Sequence, residues 1–232
     1  MKQVLTMNDA GGKNYYYKEA VKILRTNIQF TGKDIKSVLF TSCYPNEGKT
    51  DIVFQLAVEM GKAGKRVVIV DADIRKSGFI KRYALNEEIP GLSQFLSGQA
   101  EKKQIVCSTG YENTDIILSG PVAPNPSELL GQTIFSDLLH ELREDYDYVL
   151  LDTPPVGSVV DAVVAAQACD GAVIVIESGL VSHKAAQKTL AQLRKSGCSI
   201  LGAVLNKVDI KKDKYYFSYY KKYGDYYNTK QY

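Results

Sequence analysis

"TSCYPNEGKTD" occupies residues 41–51, between the apolar run "KSVLF" (36–40) and the helix-like "IVFQLAVEMGKAG" (52–64). A strand that ends in a loop and reopens as a helix beginning "GKT" is what a phosphate-binding loop requires. Successive backbone N–H groups, a helix N-terminus and a lysine ammonium then converge on one anion. The strict pattern is G-x-x-x-x-G-K-[ST]; Gly48, Lys49 and Thr50 match it, and Cys43 stands where the first glycine belongs. The backbone cradle can survive that loss, with Pro45 setting the turn in another way. On this reading Pro45, Asn46, Glu47 and Gly48 form the loop around ATP, Lys49 grips its phosphates and Thr50 offers its hydroxyl to Mg²⁺. Asp51 suits the first turn of a helix, yet its charge stands close to where a phosphate would sit. The competing reading is an ordinary strand–turn–helix in which Gly-Lys is coincidence.

Outward from the loop, short apolar runs alternate with helical patterns. Strands are expected at 37–42, 66–73, 114–120, 147–153, 171–178 and 200–207, and helices at 49–64, 127–144, 159–168 and 181–196. The runs are rich in Val, Ile and Leu and mostly lack polar alternation, as parallel strands covered on both faces do. The expected fold is therefore α/β, a P-loop NTPase-like parallel sheet with helices on both faces. Residues 16–30, "YYKEAVKILRTNIQF", read as an amphipathic helix ahead of the first strand.

Two further strands end in acids. "VVIVDADIRK" (67–76) carries Asp71 and Asp73, and "YVLLDTPP" (148–155) carries Asp152. The C-terminal ends of parallel strands face the crevice where open α/β sheets bind ligands. Isolated aspartates there can be helix caps. Three of them beside a phosphate loop favour Mg²⁺ coordination and base chemistry, since phosphoryl transfer asks chiefly for charge placement.

Bulk composition excludes some classes. The 232 residues are 45% hydrophobic, enough for one substantial core, and the net charge of +3 does not by itself imply nucleic acid. From Lys207 onward the chain carries seven Lys and three Asp, so this end is +4 and the remainder −1. Such an end could meet a membrane surface or an acidic partner, or simply be solvated. Cys43, Cys107, Cys169 and Cys198 show no ligand spacing and suit a reducing cytoplasm. The first twenty residues lack the apolar core of a signal peptide, and no run approaches the roughly 20 apolar residues of a membrane span.

Together, "SCYPNEGKT" (42–50), "VVIVDADIRK" (67–76) and "VLLDTPP" (149–155) resemble the bacterial tyrosine kinases of capsular and exopolysaccharide synthesis, the missing first glycine included. "GPVAPNPSELL" (120–130), "EAVKILRTNI" (19–28) and the tyrosine-rich end are similar to theirs as well. The resemblance implies a kinase domain over 1–210, with 16–30 as its oligomerisation helix, and a disordered phosphoacceptor tail over 211–232. It implies that Lys49 holds the β- and γ-phosphates and that Asp71 accepts the proton of the incoming tyrosine. Thr50, Asp73 and Asp152 would organise the metal, and Asn206 and Lys207 would lie where the family contacts adenine. Arg75 could approach the phosphates or sit at the surface. The family's subunit-contact motif E-x-x-R-x-x-R here reads Glu19, Lys22, Arg25. Lysine cannot form the two-pronged pair that arginine makes with a carboxylate, so ring assembly is expected to be altered.

Read alone, "KYYFSYYKKYGDYYNTKQY" (214–232) cannot build a core. It could stack single-stranded nucleic acid or remain a solvated end. The resemblance implies instead that Tyr215, Tyr216, Tyr219, Tyr220, Tyr223, Tyr226, Tyr227 and Tyr232 are acceptors phosphorylated in trans, with no nucleic-acid partner. It also implies a ring-shaped homo-oligomer, a cognate protein-tyrosine phosphatase and a separate transmembrane adaptor of the polysaccharide co-polymerase type. The adaptor's cytoplasmic tail would recruit the chain to the inner face of the cell membrane. The alternative function is a partition or division-site ATPase without kinase activity. Those proteins carry a signature lysine where this chain has Tyr44. A third reading is a binding module whose loop has decayed.

Overall fold

The computed structural model describes residues 2–5, 7, 15–83, 85 and 89–209. The tail 211–232 and all eight of its tyrosines lie outside the described residues. After helix α1 (Tyr15–Phe30), β1 (Ser37–Ser42) leads into α2 (Lys49–Lys62) and β2 (Val67–Asp71). Short helices α3 (Gly78–Tyr83), α4 (Leu92–Leu96) and α5 (Lys102–Ile105) precede β3 (Val106–Ser108) and β4 (Thr114–Ile117). Then come α6 (Pro126–Leu130), α7 (Thr133–Asp145), β5 (Tyr148–Asp152), α8 (Asp161–Ala166), β6 (Gly171–Glu177), α9 (His183–Arg194) and β7 (Ser199–Asn206).

The strands form one sheet in the order β3-β4-β2-β5-β1-β6-β7. All neighbours pair in parallel except β3 with β4. Every residue of β1, β2 and β5 is buried, which is why their sequences do not alternate with polar residues. Successive side chains still go to opposite faces. Val38, Phe40, Val67, Ile69 and Leu150 pack on one face with Val21 of α1 and Phe54 and Leu56 of α2. Leu39, Val68, Val70, Val149 and Leu151 pack on the other with Phe135, Leu138 and Leu142 of α7. This is the expected layered sheet, with helices on both faces.

Three features depart from the sequence expectation. β3 is an antiparallel edge strand of 3 residues, too short for a period to show. The backbone of residues 3–5 lies against it, with Leu5 N–H donating to Ser108 O at 2.8 Å. The helix expected over 127–144 is two, α6 and α7. Gly131 ends the first, Gln132 is extended (ψ 153°), and the chain restarts so that Leu130 and Phe135 both reach the core. The helices α3, α4 and α5 span 6, 5 and 4 residues and leave no sequence period. α3 is held by Phe79 and Tyr83 against Phe54, with ring centroids 6.5 and 4.8 Å apart. No helix among the described residues is long and apolar enough to cross a membrane.

Candidate active site

The loop after β1 is built from inside. Cys43 is buried, and burial raises the pKa of its thiol. Its carbonyl oxygen lies so near Gly157 that a Cβ there would meet it at 2.1 Å. The close backbone approach missing a glycine at position 43 is thus met by a glycine in the loop after β5. Glu47 is fully buried and accepts from the Tyr44 N–H at 2.5 Å and the Glu177 N–H at 3.0 Å. Its side chain ties the loop to β6, and Glu47 itself, expected to border ATP, is not among the residues that line the cleft beside the loop. Gly48 has φ 89°, and a Cβ would sit 2.3 Å from Asn206 Nδ2. Only glycine meets both demands. Asn206 donates to Glu47 O at 2.8 Å, and Lys207 donates to Asn46 O at 2.7 Å while pairing with Glu177. The end of β7 therefore braces the loop through its carbonyls.

The N-cap residue of α2 is Gly48, which has no side chain to cap it. The helix's first N–H groups are left for an anion, and the helix dipole favours one there. Lys49 is buried at this point, within reach of Asp73 and Asp152, whose pKa values its charge pulls down. Thr50 Oγ1 donates to Asp152 Oδ2 at 2.5 Å. The register pairs Asp71 with Asp152 across β2 and β5, so strand order alone sets two carboxylates side by side. Asp71 is fully buried; it accepts from the Ser77 hydroxyl at 2.5 Å and the Asp73 N–H at 3.3 Å. Asp73 is half-buried and takes the Lys76 N–H at 3.0 Å.

These acids are poorly compensated. Burial, then the neighbouring Asp152, holds Asp71 well above the usual carboxylate range. Burial pushes Asp152 up to about 6 against the pull of Lys49 and Thr50. Burial likewise raises Asp73. Asp152 Oδ1 is buried without a hydrogen-bond partner among the described residues, and such an atom asks for a cation or donor. No three Asp, Glu, His or Cys side chains among the described residues converge into a closed metal cage. That suits Mg²⁺, which is held by one or two carboxylates plus substrate phosphates. The site opens into a cleft of about 1130 Å³ lined by Lys49, Thr50, Asp73, Ser77 and Asn206 among others.

The structure thus gathers Lys49, Thr50, Asp71, Asp73 and Asp152, with Pro45, Asn46 and Gly48 at the cleft. Other residues are engaged in contacts of their own. Asp51 turns to Arg82 at 2.6 Å and to the Tyr17 hydroxyl at 3.1 Å. Arg75 makes a two-pronged pair with buried Asp161, at 2.6 and 3.0 Å, so it ties the turn after β2 to α8. Glu19 and Lys22 pair with each other at 2.7 Å, and Arg25 donates to Glu59 O at 3.3 Å. Sequence reasoning missed Tyr17, Ser77, Arg82 and Asp161. Only Asp161 carried a signal, an acid opening a helical pattern.

The geometry can be set beside known proteins. A family model described as an AAA domain matches residues 46–200. A relative named tyrosine-protein kinase CpsD, from Streptococcus pneumoniae, is 39% identical over 85% of this chain and 87% of its own length. Another, tyrosine-protein kinase YwqD from Bacillus subtilis, is 34% identical over 94% of this chain and 91% of its own. The solved kinase domain of Escherichia coli tyrosine kinase ETK superposes with a TM-score of 0.78 at 33% identity, covering 82% of this chain and 75% of that one.

Proposed function

The chain belongs to the bacterial tyrosine-protein kinase family, and from that membership we propose that it is an ATP- and Mg²⁺-dependent autokinase whose acceptors are its own tail tyrosines. The reaction is transfer of the γ-phosphoryl group of ATP to a protein tyrosine. The observation that carries the site assignment is the buried Asp152 Oδ1, without a hydrogen-bond partner among the described residues, set beside Thr50 Oγ1 and Lys49 under a helix N-terminus whose N-cap is glycine.

Each role follows from placement. Lys49 and the first N–H groups of α2 would hold the phosphates. Thr50, Asp73 and Asp152 would hold the magnesium ion, which supplies charge neutralisation when bound. Asp71 is the proton acceptor for the incoming tyrosine hydroxyl. It reaches the cleft by way of Ser77, whose hydroxyl covers it. Asn206 and Lys207 keep the loop in shape and stand where adenine would be met.

Eight tyrosines and seven lysines fall within Lys207–Tyr232. Each phosphate adds about −1.5 to −2 charges, so three or four would reverse the sign of this segment. A negative tail leaves an acid-lined site, and we place this step between a ring of unphosphorylated copies and free phosphorylated ones. We further assign the chain to capsular or exopolysaccharide assembly and its control of chain length. Its partners there are a transmembrane adaptor that holds it at the inner membrane face and a phosphatase that resets it.

Incubation of the full chain with γ-labelled ATP tests the reading. Label on tail tyrosine supports it, strengthened by adding the adaptor's cytoplasmic tail. Free phosphate without protein label would replace it with the partition-type ATPase. An unchanged sedimenting mass after full phosphorylation would remove the ring cycle.

A further inference from the structure

A carboxylate one residue beyond Thr50, in the first turn of α2, is an electrostatic obstacle to the reading above. It helps the bare helix but competes for the ground that a phosphate needs. The fold answers it with two side chains that the sequence gave no reason to connect. Arg82, from α3, donates to Asp51 Oδ1 at 2.6 Å, and Tyr17, from α1, donates to Oδ2 at 3.1 Å. Arg82 remains about half exposed while Asp51 is largely covered, and both line the cleft that Lys49 and Thr50 enter. α3 is fixed there by the packing of Phe79 and Tyr83 on Phe54. Gly78, its first residue, lies so close to Thr50 that a Cβ would sit 2.4 Å from Oγ1. The arginine is thus delivered to the phosphate side of α2 by an element seated on the loop helix itself.

We propose that Arg82 is a charge-compensating positioning residue: it neutralises Asp51 and so lets the phosphates of a nucleotide share the first turn of α2 with that carboxylate. The inference rests on the nucleotide reading of the cleft. Arg82 acts through Asp51. Its role is set by charge, with Tyr17 holding the carboxylate toward α1.

The charge count fixes the signs. Arg82→Met uncovers a negative charge beside the phosphates, Asp51→Ser leaves a positive one, and the double variant restores the balance. Calorimetric titration of the full chain with ATP, ADP and AMP reads them. Arg82→Met should weaken ATP by on the order of tenfold at low salt, with smaller losses for ADP and AMP because fewer charges are repelled. The loss should shrink toward 1 M salt. Asp51→Ser should bind ATP severalfold more tightly than the parent, the double variant should return close to the parent, and Arg82→Lys should retain most of the affinity. Thermal melts establish that each variant is folded. A parent chain that binds no ATP overturns the nucleotide reading and this inference with it. A parent that binds ATP, beside a folded Arg82→Met that binds it equally well, overturns this inference alone. So does an equal loss for ATP and AMP, or a loss that Asp51→Ser fails to rescue, since either marks a merely structural arginine.

Discussion

At the end of the sheet where the strands begin, Asp170 accepts from the Ser37 N–H and hydroxyl at 2.8 Å each and from the Lys36 N–H at 3.0 Å, and pairs with Arg143 at 3.0 Å. Burial alone would raise its pKa; these partners together hold it below the usual carboxylate value. Asp115, on β4 at the same end of the sheet, takes the Lys2 ammonium at 2.6 Å and the Tyr146 hydroxyl at 2.7 Å. At the other end, where the strands finish, Asp71, Asp73 and Asp152 share one buried ammonium and a few hydroxyl and amide donors, and all three are raised. The same sheet satisfies its carboxylates at one end and leaves them short at the other. The first arrangement stores stability. The second holds a standing demand for a cation, which is what a phosphoryl-transfer site needs and what costs a bare protein stability.

This contrast can be broken by four changes. The largest effect is expected from Lys49→Met, which should cut tyrosine labelling by ATP more than about 100-fold in a chain that a thermal melt shows to be folded, with some loss of stability because Asp73 and Asp152 lose their shared ammonium. A labelled variant would mean that the charge-poor end does not do the chemistry. Asp170→Ala strikes the satisfied end. It strands two amide N–H groups and a guanidinium, and should cost about 2–4 kcal/mol in urea unfolding while nucleotide affinity holds.

Asp152→Asn should do the reverse, abolishing labelling while stabilising the ligand-free chain by about 1–3 kcal/mol at pH 7.5. The sign follows from linkage. With the folded pKa raised from 3.8 to about 6, the folded chain keeps a proton that the unfolded chain has released in that window. The stability this gives is fully present below pH 3.8 and lost as pH rises through about 6. The gap between variant and parent should therefore open between those values and stay open above them; a pH-independent gap would refute the raised pKa. The smallest effect belongs to the surface pairs of Lys102 with Glu141 and Asp145, at 3.0 and 2.8 Å. Lys102→Met should shift stability by less than about 1 kcal/mol.

The central strands and the acids at the tips of β2 and β5 were legible in the sequence for one physical reason: a run buried on both faces has no polar interruption until it reaches the crevice, although the strand expected over 66–73 ends at Asp71 and leaves Asp73 in the turn beyond it. Asp71 and Asp152 therefore announced themselves as the first charges after "VVIV" and "YVLL". The edge strand β3 and the helices α3, α4 and α5 were not legible, because a few residues cannot display a period. Nor were the contacts of Asp51, whose partners lie 31 and 34 positions away on α3 and α1, elements that only the folded packing around α2 brings near. The sequence placed the Asp51 charge beside the loop, but its pairing with Arg82 was invisible because charge pairing across a fold leaves no local pattern.

Gly157 carries a consequence for anyone who hunts such proteins by text pattern. The spare room that a phosphate loop needs was looked for at position 43 and found 114 places downstream, against the same carbonyl. A signature spelled along one contiguous stretch scores that as damage. One spelled across neighbouring loops would score it as intact, and would expect alanine at 157 to cripple the loop as surely as a lesion inside it.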